Sequence, residues 1–404
     1  MADLFDKLSK FTEAREAQAL GIYPFFRALS HSEGVTAQFE GREVVMLGSN
    51  NYLGLTTDER VKQAMVDATL HYGTSVTGSR FLNGTLDLHL DLEQRLANFV
   101  GKEAALIFST GYQTNLGTVS ALLGKNDYAI MDKDAHASTV DGVFMSRGQM
   151  KRFRHNDMND LERVLKQIPA DAGKLVIVDG VYSMGGDIAP LTDVVALCKQ
   201  YGARLMVDDA HGLGMTGQGR GTSHQYGVTD DVDLIMGTFS KSFASVGGFI
   251  AGDKDVIHYI QHHARPVIFS ASLPAPNIAA VRAALDIIET EPAHIERLWE
   301  NANYMRRGFR QLGYNTGNSE TPIIPVIIGE KYLTGVVWAA LIHEGVYTNP
   351  VIPPATPPNG SLLRTSYTAT QTREHLDCAL KAFKMVGERL DLITPSDAVD
   401  VVTS

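Results

Sequence analysis

Residues 204–214 read RLMVDDAHGLG and residues 234–241 read LIMGTFSK. Each opens on a short apolar run and ends in side chains that can do chemistry. The first ends in Asp208, Asp209 and His211, the second in Thr238, Ser240 and Lys241. Runs without polar alternation suit strands covered by helices on both faces. Similar runs lie at 104–108, 128–131, 175–178 and 248–251, and amphipathic stretches such as 191–201 separate several of them. Strands alternating with helices predict an α/β fold with a mainly parallel sheet, whose carboxyl edge carries the binding chemistry. The remaining strand ends agree. The 104–108 run leads into Ser109, Thr110, Gly111 and Tyr112, the 128–131 run into Asp132 and His136, and the 175–178 run into Asp179 and Ser183.

One pattern points elsewhere. GLGMTG at 212–217 matches the dinucleotide fingerprint G-x-G-x-x-G and follows a strand. A working fingerprint opens a helix whose amino terminus meets a pyrophosphate. The sequel QGRGTSHQYG has no helical apolar period, so a nicotinamide site is not expected.

The 404 residues carry a net charge of −10, which disfavours non-specific binding to nucleic acid or anionic membrane. The two cysteines, Cys198 and Cys378, have no metal-ligand spacing and suggest no disulfide framework, as in a reducing cytoplasm. No apolar run approaches a transmembrane length, and a cytoplasmic protein without a metal site is expected. Residues 1–60 read as an amino-terminal segment completing a smaller α+β domain, 61–275 as the large domain, 276–394 as the carboxyl-terminal small domain and 395–404 as a mobile tail.

An aldehyde cofactor with a phosphate tail suits these parts. Lys241 can form a Schiff base, and Asp208 can pair with a pyridinium nitrogen so that the ring accepts electrons. The hydroxyls of Thr238 and Ser240, with helix-start amides at Gly111 and Tyr112, can hold the phosphate. His136 can stack on the ring, and His211 and Ser183 can reach its phenolic oxygen. Taken singly, each residue has an ordinary alternative: Asp208 as a helix cap, Lys241 as a solvated charge, Ser183 and Thr238 as turn residues. Their convergence on one sheet edge favours the chemical reading.

VDDAHGLG, GTFSKSFASVGGFIAGD, FSTGYQTNLG and DGVYSMGGDIAPL together resemble the α-oxoamine synthases, fold-type I enzymes dependent on pyridoxal phosphate. The resemblance runs from about Gly21 to Leu392. It implies condensation of an amino acid with an acyl-CoA, release of carbon dioxide, and a homodimer with shared active sites. It gives Lys241 the Schiff base, Asp208 the pyridinium, His136 the stacking position, His211 and Ser183 the phenolic oxygen, and Thr238, with Ser240 close to it, the phosphate. Ser270 matches a hydroxyl reaching the neighbouring subunit's phosphate. Arg364, in SLLRTS, matches the arginine that holds the amino acid's carboxylate. The family's amino-terminal asparagine corresponds to Asn50 or Asn51. GSRFLNGT and PPATPPNGSLLR look most like the soluble bacterial branch that uses serine and a long-chain acyl-CoA, with Ser79 at the substrate. Some serine-using members carry a second arginine where this chain has Ile352. The resemblance leaves three alternatives: a sibling using glycine or alanine, an aminotransferase or aldolase, and a catalytically silent subunit.

Overall fold

The computed structural model describes residues 3–394, so the stretch 395–404, expected as a tail, lies outside the described residues. The chain divides into two units. The larger comprises Asn50–Ser183 and Asp187–Leu298, and the smaller holds the remaining described residues. Seven strands in the larger unit form one sheet, in the order Ala104–Phe108, Gly248–Gly252, Leu234–Thr238, Arg204–Asp208, Lys174–Asp179, Tyr128–Asp132 and Gln149–Phe153. Gly248–Gly252 runs antiparallel to both neighbours and every other pair is parallel. The expected mainly parallel α/β sheet is therefore present. Leu234–Thr238 is buried along its whole length, which explains its unbroken apolar run. The core joins Leu106, Met131, Ile177, Met206, Met236 and Ile250 from the strands to Val119 and Ile257 from helices.

Register places the chemistry. Asp179 pairs level with Asp208 across two parallel strands, and Asp208 stands level with Met236. The strand Gln149–Phe153 was not anticipated. It lies at the sheet edge, reads QMKRF, and fully buries only Phe153. An edge strand pairs on one side only and tolerates charge, so the apolar signal is lost.

The division differs from the expected boundaries near 60 and 275. The chain passes between the units at 49/50 and 298/299. The reason is packing: Ala275–Thr290 lies along Glu59–Tyr72 and buries Ile278, Val281, Leu285 and Ile288, which ties both helices to the larger unit. The smaller unit contains a sheet of Leu29–Ser32, Thr36–Phe39, Arg42–Met46 and Val346–Tyr347, and a second of Ile323–Gly329, Ser361–Ser366 and Asn349–Val351. Among the described residues, no helix is long and apolar enough to cross a membrane.

Candidate active site

Lys241 sits three residues beyond Leu234–Thr238, between Phe239 and Phe243, both fully buried. Phe239 stacks on Phe249 with centroids 5.8 Å apart, and Phe243 meets Phe99 and Phe239 edge-on. Each buried ring contributes roughly 1.5–3 kcal/mol. Two such anchors on either side fix where the lysine leaves the backbone. The turn is closed by Ser245 N donating to Phe239 O at 2.9 Å and by Ala244 N donating to Lys241 O at 3.0 Å. Lys241 itself is half-buried.

Asp208 is 4% exposed. Its Oδ2 accepts from Asn115 Nδ2 at 2.6 Å and its Oδ1 from Ala210 N at 3.1 Å. Asp179, equally buried, accepts a longer 3.3 Å bond from His136 N. Burial first, then the charge of Asp208, pushes Asp179 well above the usual carboxylate range, against the pull of His136 N–H and Lys241. Asp209 behind them is fully buried, and burial raises it to about 7 although Thr222 donates to both of its oxygens. This carboxylate explains the fingerprint-like glycines. A Cβ at Gly212 would lie 1.9 Å from Asp209 Oδ1, and the segment leads into a short 3-10 turn, Gly217–Gly219, rather than a nucleotide-binding helix. His136 caps Ala137–Met145, its Nδ1 accepting from Ser138 N at 3.3 Å, and its side chain is exposed.

The helix Gly111–Leu122 starts beside Thr238. Thr110 caps it by accepting from Gln113 N at 3.1 Å, contributing about 1 kcal/mol. The first-turn amides of Gly111 and Tyr112 are left for another acceptor. A Cβ at Gly111 would come within 2.6 Å of Thr238 Oγ1, so glycine keeps open the space between helix start and hydroxyl. Thr238 Oγ1 is 2.9 Å from Ser240 Oγ. Ser270 Oγ accepts from Gln113 Nε2 at 3.4 Å, while the buried Gln113 Oε1 takes no hydrogen bond among the described residues. Tyr112 turns its hydroxyl to Asp141.

His211 Nδ1 lies 2.7 Å from Tyr52 Oη, and Tyr52 Oη also reaches Asn50 Oδ1 at 3.3 Å. Asn51 instead donates to Thr56 Oγ1 at 2.7 Å, bracing its own turn. Asn50 thus touches the Tyr52–His211 pair, and Asn51 makes further contacts beyond the bond to Thr56. Ser79 lies in the turn 78–84, where Gly84 N donates to Ser79 O at 2.8 Å and Ser272 N to Gly78 O at 2.9 Å. Its Oγ is buried without a hydrogen bond among the described residues. Arg364 belongs to the smaller unit, 4% exposed on Ser361–Ser366, with Nη1 3.4 Å from Ser366 Oγ. Ile352, in the same unit, lines an apolar cavity of about 180 Å³ with Phe11, Ile22, Tyr23 and Phe25.

Sequence reading missed Tyr52, Asn115, Ser138, Asp179 as a partner, and His155. Tyr52 directly follows Asn50 and Asn51, and Asn115 stands in FSTGYQTNLG one turn after Gly111, so helical spacing could have flagged Asn115. His155 had no such signal. Its Nδ1 is 3.0 Å from Asp132 Oδ1 and its Nε2 2.7 Å from Asp187 Oδ2. Burial works against its charge, but the bonds to Asp132 and Asp187 outweigh it and push the imidazole up to about 10. Asp187 O also accepts from Tyr182 N at 2.9 Å, so the ion group braces the hairpin carrying Ser183. A pKa raised above the unfolded value of about 6.5 stabilises the fold fully below that pH, and the contribution is lost as pH rises through about 10. Replacing His155→Asn is therefore expected to cost about 2 kcal/mol near pH 6. The gap to the parent, measured by urea unfolding, should narrow steadily up to pH 10. A gap independent of pH would remove the charge from this account.

The sequence pattern of the family "Aminotransferase class I and II" matches residues 42–383. The chain belongs to that family. Within it, the chain is 48% identical over 394 residues to a protein of Bacteroides thetaiotaomicron named serine palmitoyltransferase, covering 97% of this chain and 100% of that one. It is 42% identical over 375 residues to the 8-amino-7-oxononanoate synthase of Symbiobacterium thermophilum, covering 92% and 96% of the two chains. A solved structure of SPT with a PLP internal aldimine superposes with a TM-score of 0.94 at 37% identity, covering 97% of this chain and all of the other. The resemblance to the α-oxoamine synthases thus holds along almost the entire family member, in sequence and in fold.

Proposed function

We propose that this chain condenses L-serine with a long-chain acyl-CoA such as palmitoyl-CoA, releasing CoA and carbon dioxide and forming 3-ketodihydrosphingosine. The observation that carries the proposal is the convergence of Lys241, Asp208, His136 and the Gly111–Thr238 cradle on one sheet edge of a chain 48% identical to a named serine palmitoyltransferase. The residues fit pyridoxal phosphate on their own chemistry. Asp208 is a buried carboxylate already held by two N–H donors. The Gly111 cradle leaves helix-start amides and two hydroxyls around a space that a side chain would fill. When bound, the cofactor supplies an aldehyde carbon and an electron-accepting ring.

Thr238, Ser240, Gly111 and Tyr112 would hold its phosphate, with Ser270 positioned beside Gln113. Asp208 would hold a proton on the ring nitrogen, and His211, with Tyr52 and Asn50 behind it and Ser183 alongside, would face the phenolic oxygen. The Lys241 amine, once displaced by the amino acid, would take the Cα proton. Arg364 suits the substrate carboxylate, because a planar guanidinium orients it through two bonds; its motif SLLRTS and its buried position support this. Ser79 is assigned to the substrate on its motif alone. Exposed Phe81, Leu82 and Phe269 support a homodimer covering them, and the acidic charge and thiol usage support a cytoplasmic location.

The 42% identity to an 8-amino-7-oxononanoate synthase favours one second reading, a sibling using another small amino acid. Following CoA release with serine, glycine and alanine against acyl-CoAs of graded length separates the two. Serine with a C16 chain is expected to lead in kcat/KM by at least about tenfold, some 1.4 kcal/mol of transition-state preference. A lead by alanine or glycine assigns the sibling activity, and conversion without CoA release would place the chain among aminotransferases or aldolases.

A further inference from the structure

Four side chains are linked in one direction. Asn115 Nδ2 lies 2.6 Å from Asp208 Oδ2 and 2.9 Å from Ser138 Oγ, and Ser138 Oγ lies 2.7 Å from His136 Nδ1. Asn115 is 1% exposed and Ser138 fully buried, so solvent does not complete their bonds. Counting donors fixes the direction. An amide nitrogen carries two hydrogens, and a carboxylate oxygen only accepts. One hydrogen goes to Asp208 and the other to Ser138 Oγ. The Ser138 hydroxyl could accept once more, but Ser138 N donates to His136 Nδ1 at 3.3 Å, which makes that nitrogen an acceptor, so the hydroxyl turns its own hydrogen to it. A ring nitrogen that receives two donors carries no proton of its own, so the proton of His136 resides on Nε2.

We propose that Asn115 and Ser138 are positioning residues that hold His136 neutral, in its Nε2–H tautomer, by a relay anchored on the Asp208 carboxylate. The consequence rests on the function proposed above. A histidine stacked on a ring whose nitrogen Asp208 keeps protonated would meet like charge if it became imidazolium. The group that holds the ring's proton thereby also keeps its stacking partner uncharged. The Asn115 Oδ1 atom is buried and takes no hydrogen bond among the described residues, as expected if the residue is there for its two N–H groups.

The test reads the tautomer directly, on protein without cofactor or substrate. Histidine-selective 15N labelling, with His136 assigned by loss of its signals in His136→Gln, should show an unprotonated Nδ1 and a protonated Nε2. Ser138→Ala leaves only the long backbone contact on Nδ1, and Asn115→Ala lets the Ser138 hydroxyl turn. Both should bring up the Nδ1–H form, while Ser138→Thr, which restores a hydroxyl, should return the parent pattern. In the loaded enzyme, Ser138→Ala should lower kcat by about tenfold with KM for serine changed less than about twofold, the scale of lost supporting hydrogen bonds. A protonated Nδ1 in the parent, or a parent-like pattern in both alanine variants, overturns the relay. Because the spectrum needs no turnover, a protein that shows the relay yet releases no CoA would overturn the function and leave the relay standing.

Discussion

Lys241→Ala is expected to lower kcat for CoA release by about 10³-fold or more while leaving the fold in place. Nucleophilic attachment and general-base proton transfer both depend on one amine here, and the second alone is worth about 10²–10⁴-fold. The fold should survive because Phe239 and Phe243 anchor the loop on either side of the lysine. Both rings are fully buried and packed on Phe249 and Phe99, whereas Lys241 is half-buried. Far-UV circular dichroism and the thermal midpoint should therefore match the parent within about 2–4 °C. The visible absorbance that the parent acquires with pyridoxal phosphate should be absent. Lys241→Arg keeps the positive charge but offers no nucleophile at neutral pH, so it should be equally inactive. Turnover retained in either variant would remove the amine from the chemistry. A lost fold in both would show that the lysine, not the phenylalanine pair, holds the turn.

The strand ends were legible because burial on both faces leaves an apolar run that stops where the chemistry begins. Leu234–Thr238 is buried throughout and ends against Lys241. Gln149–Phe153 has one paired side and a polar composition, so nothing in its residues marked it as a strand. The helix Ala275–Thr290 falls beyond the boundary expected near 275 yet packs with the larger unit, because its partner Glu59–Tyr72 lies more than two hundred residues earlier in the chain. Periodicity reports that a helix has an apolar face; it does not report what covers that face. The same limit applies to the site. Lys241 and Asp208 announced themselves by type and position, while the supports of Asp208 and His136 come from Asn115 and Ser138, whose residue types are common in turns and helices.

The pair Asp179 and Asp208 carries the sharpest division of labour, and it decides the second large effect. The two carboxyl groups end adjacent parallel strands in register and are both about 4% exposed. Two buried like charges at such a separation oppose each other, so one proton is retained by the pair. The donors decide which group is ionised. Asp208 accepts an amide bond of 2.6 Å and a backbone bond of 3.1 Å, whereas Asp179 has a 3.3 Å bond to His136 N. Asp179 has the weaker donor, and burial, then the neighbouring Asp208 charge, pushes it well above the usual carboxylate range, so Asp179 is the group that keeps a proton. Asp208→Asn should then lower kcat by about 10²–10⁴-fold, since the neutral amide no longer holds a proton on the ring nitrogen. Asp179→Asn replaces a group that is already neutral by one of the same shape and should cost less than about tenfold. Steady-state CoA release from both variants, with thermal midpoints to confirm folding, measures the contrast. Equal losses, or a larger loss for Asp179→Asn, would place the charge on the other strand and require a different residue behind the ring.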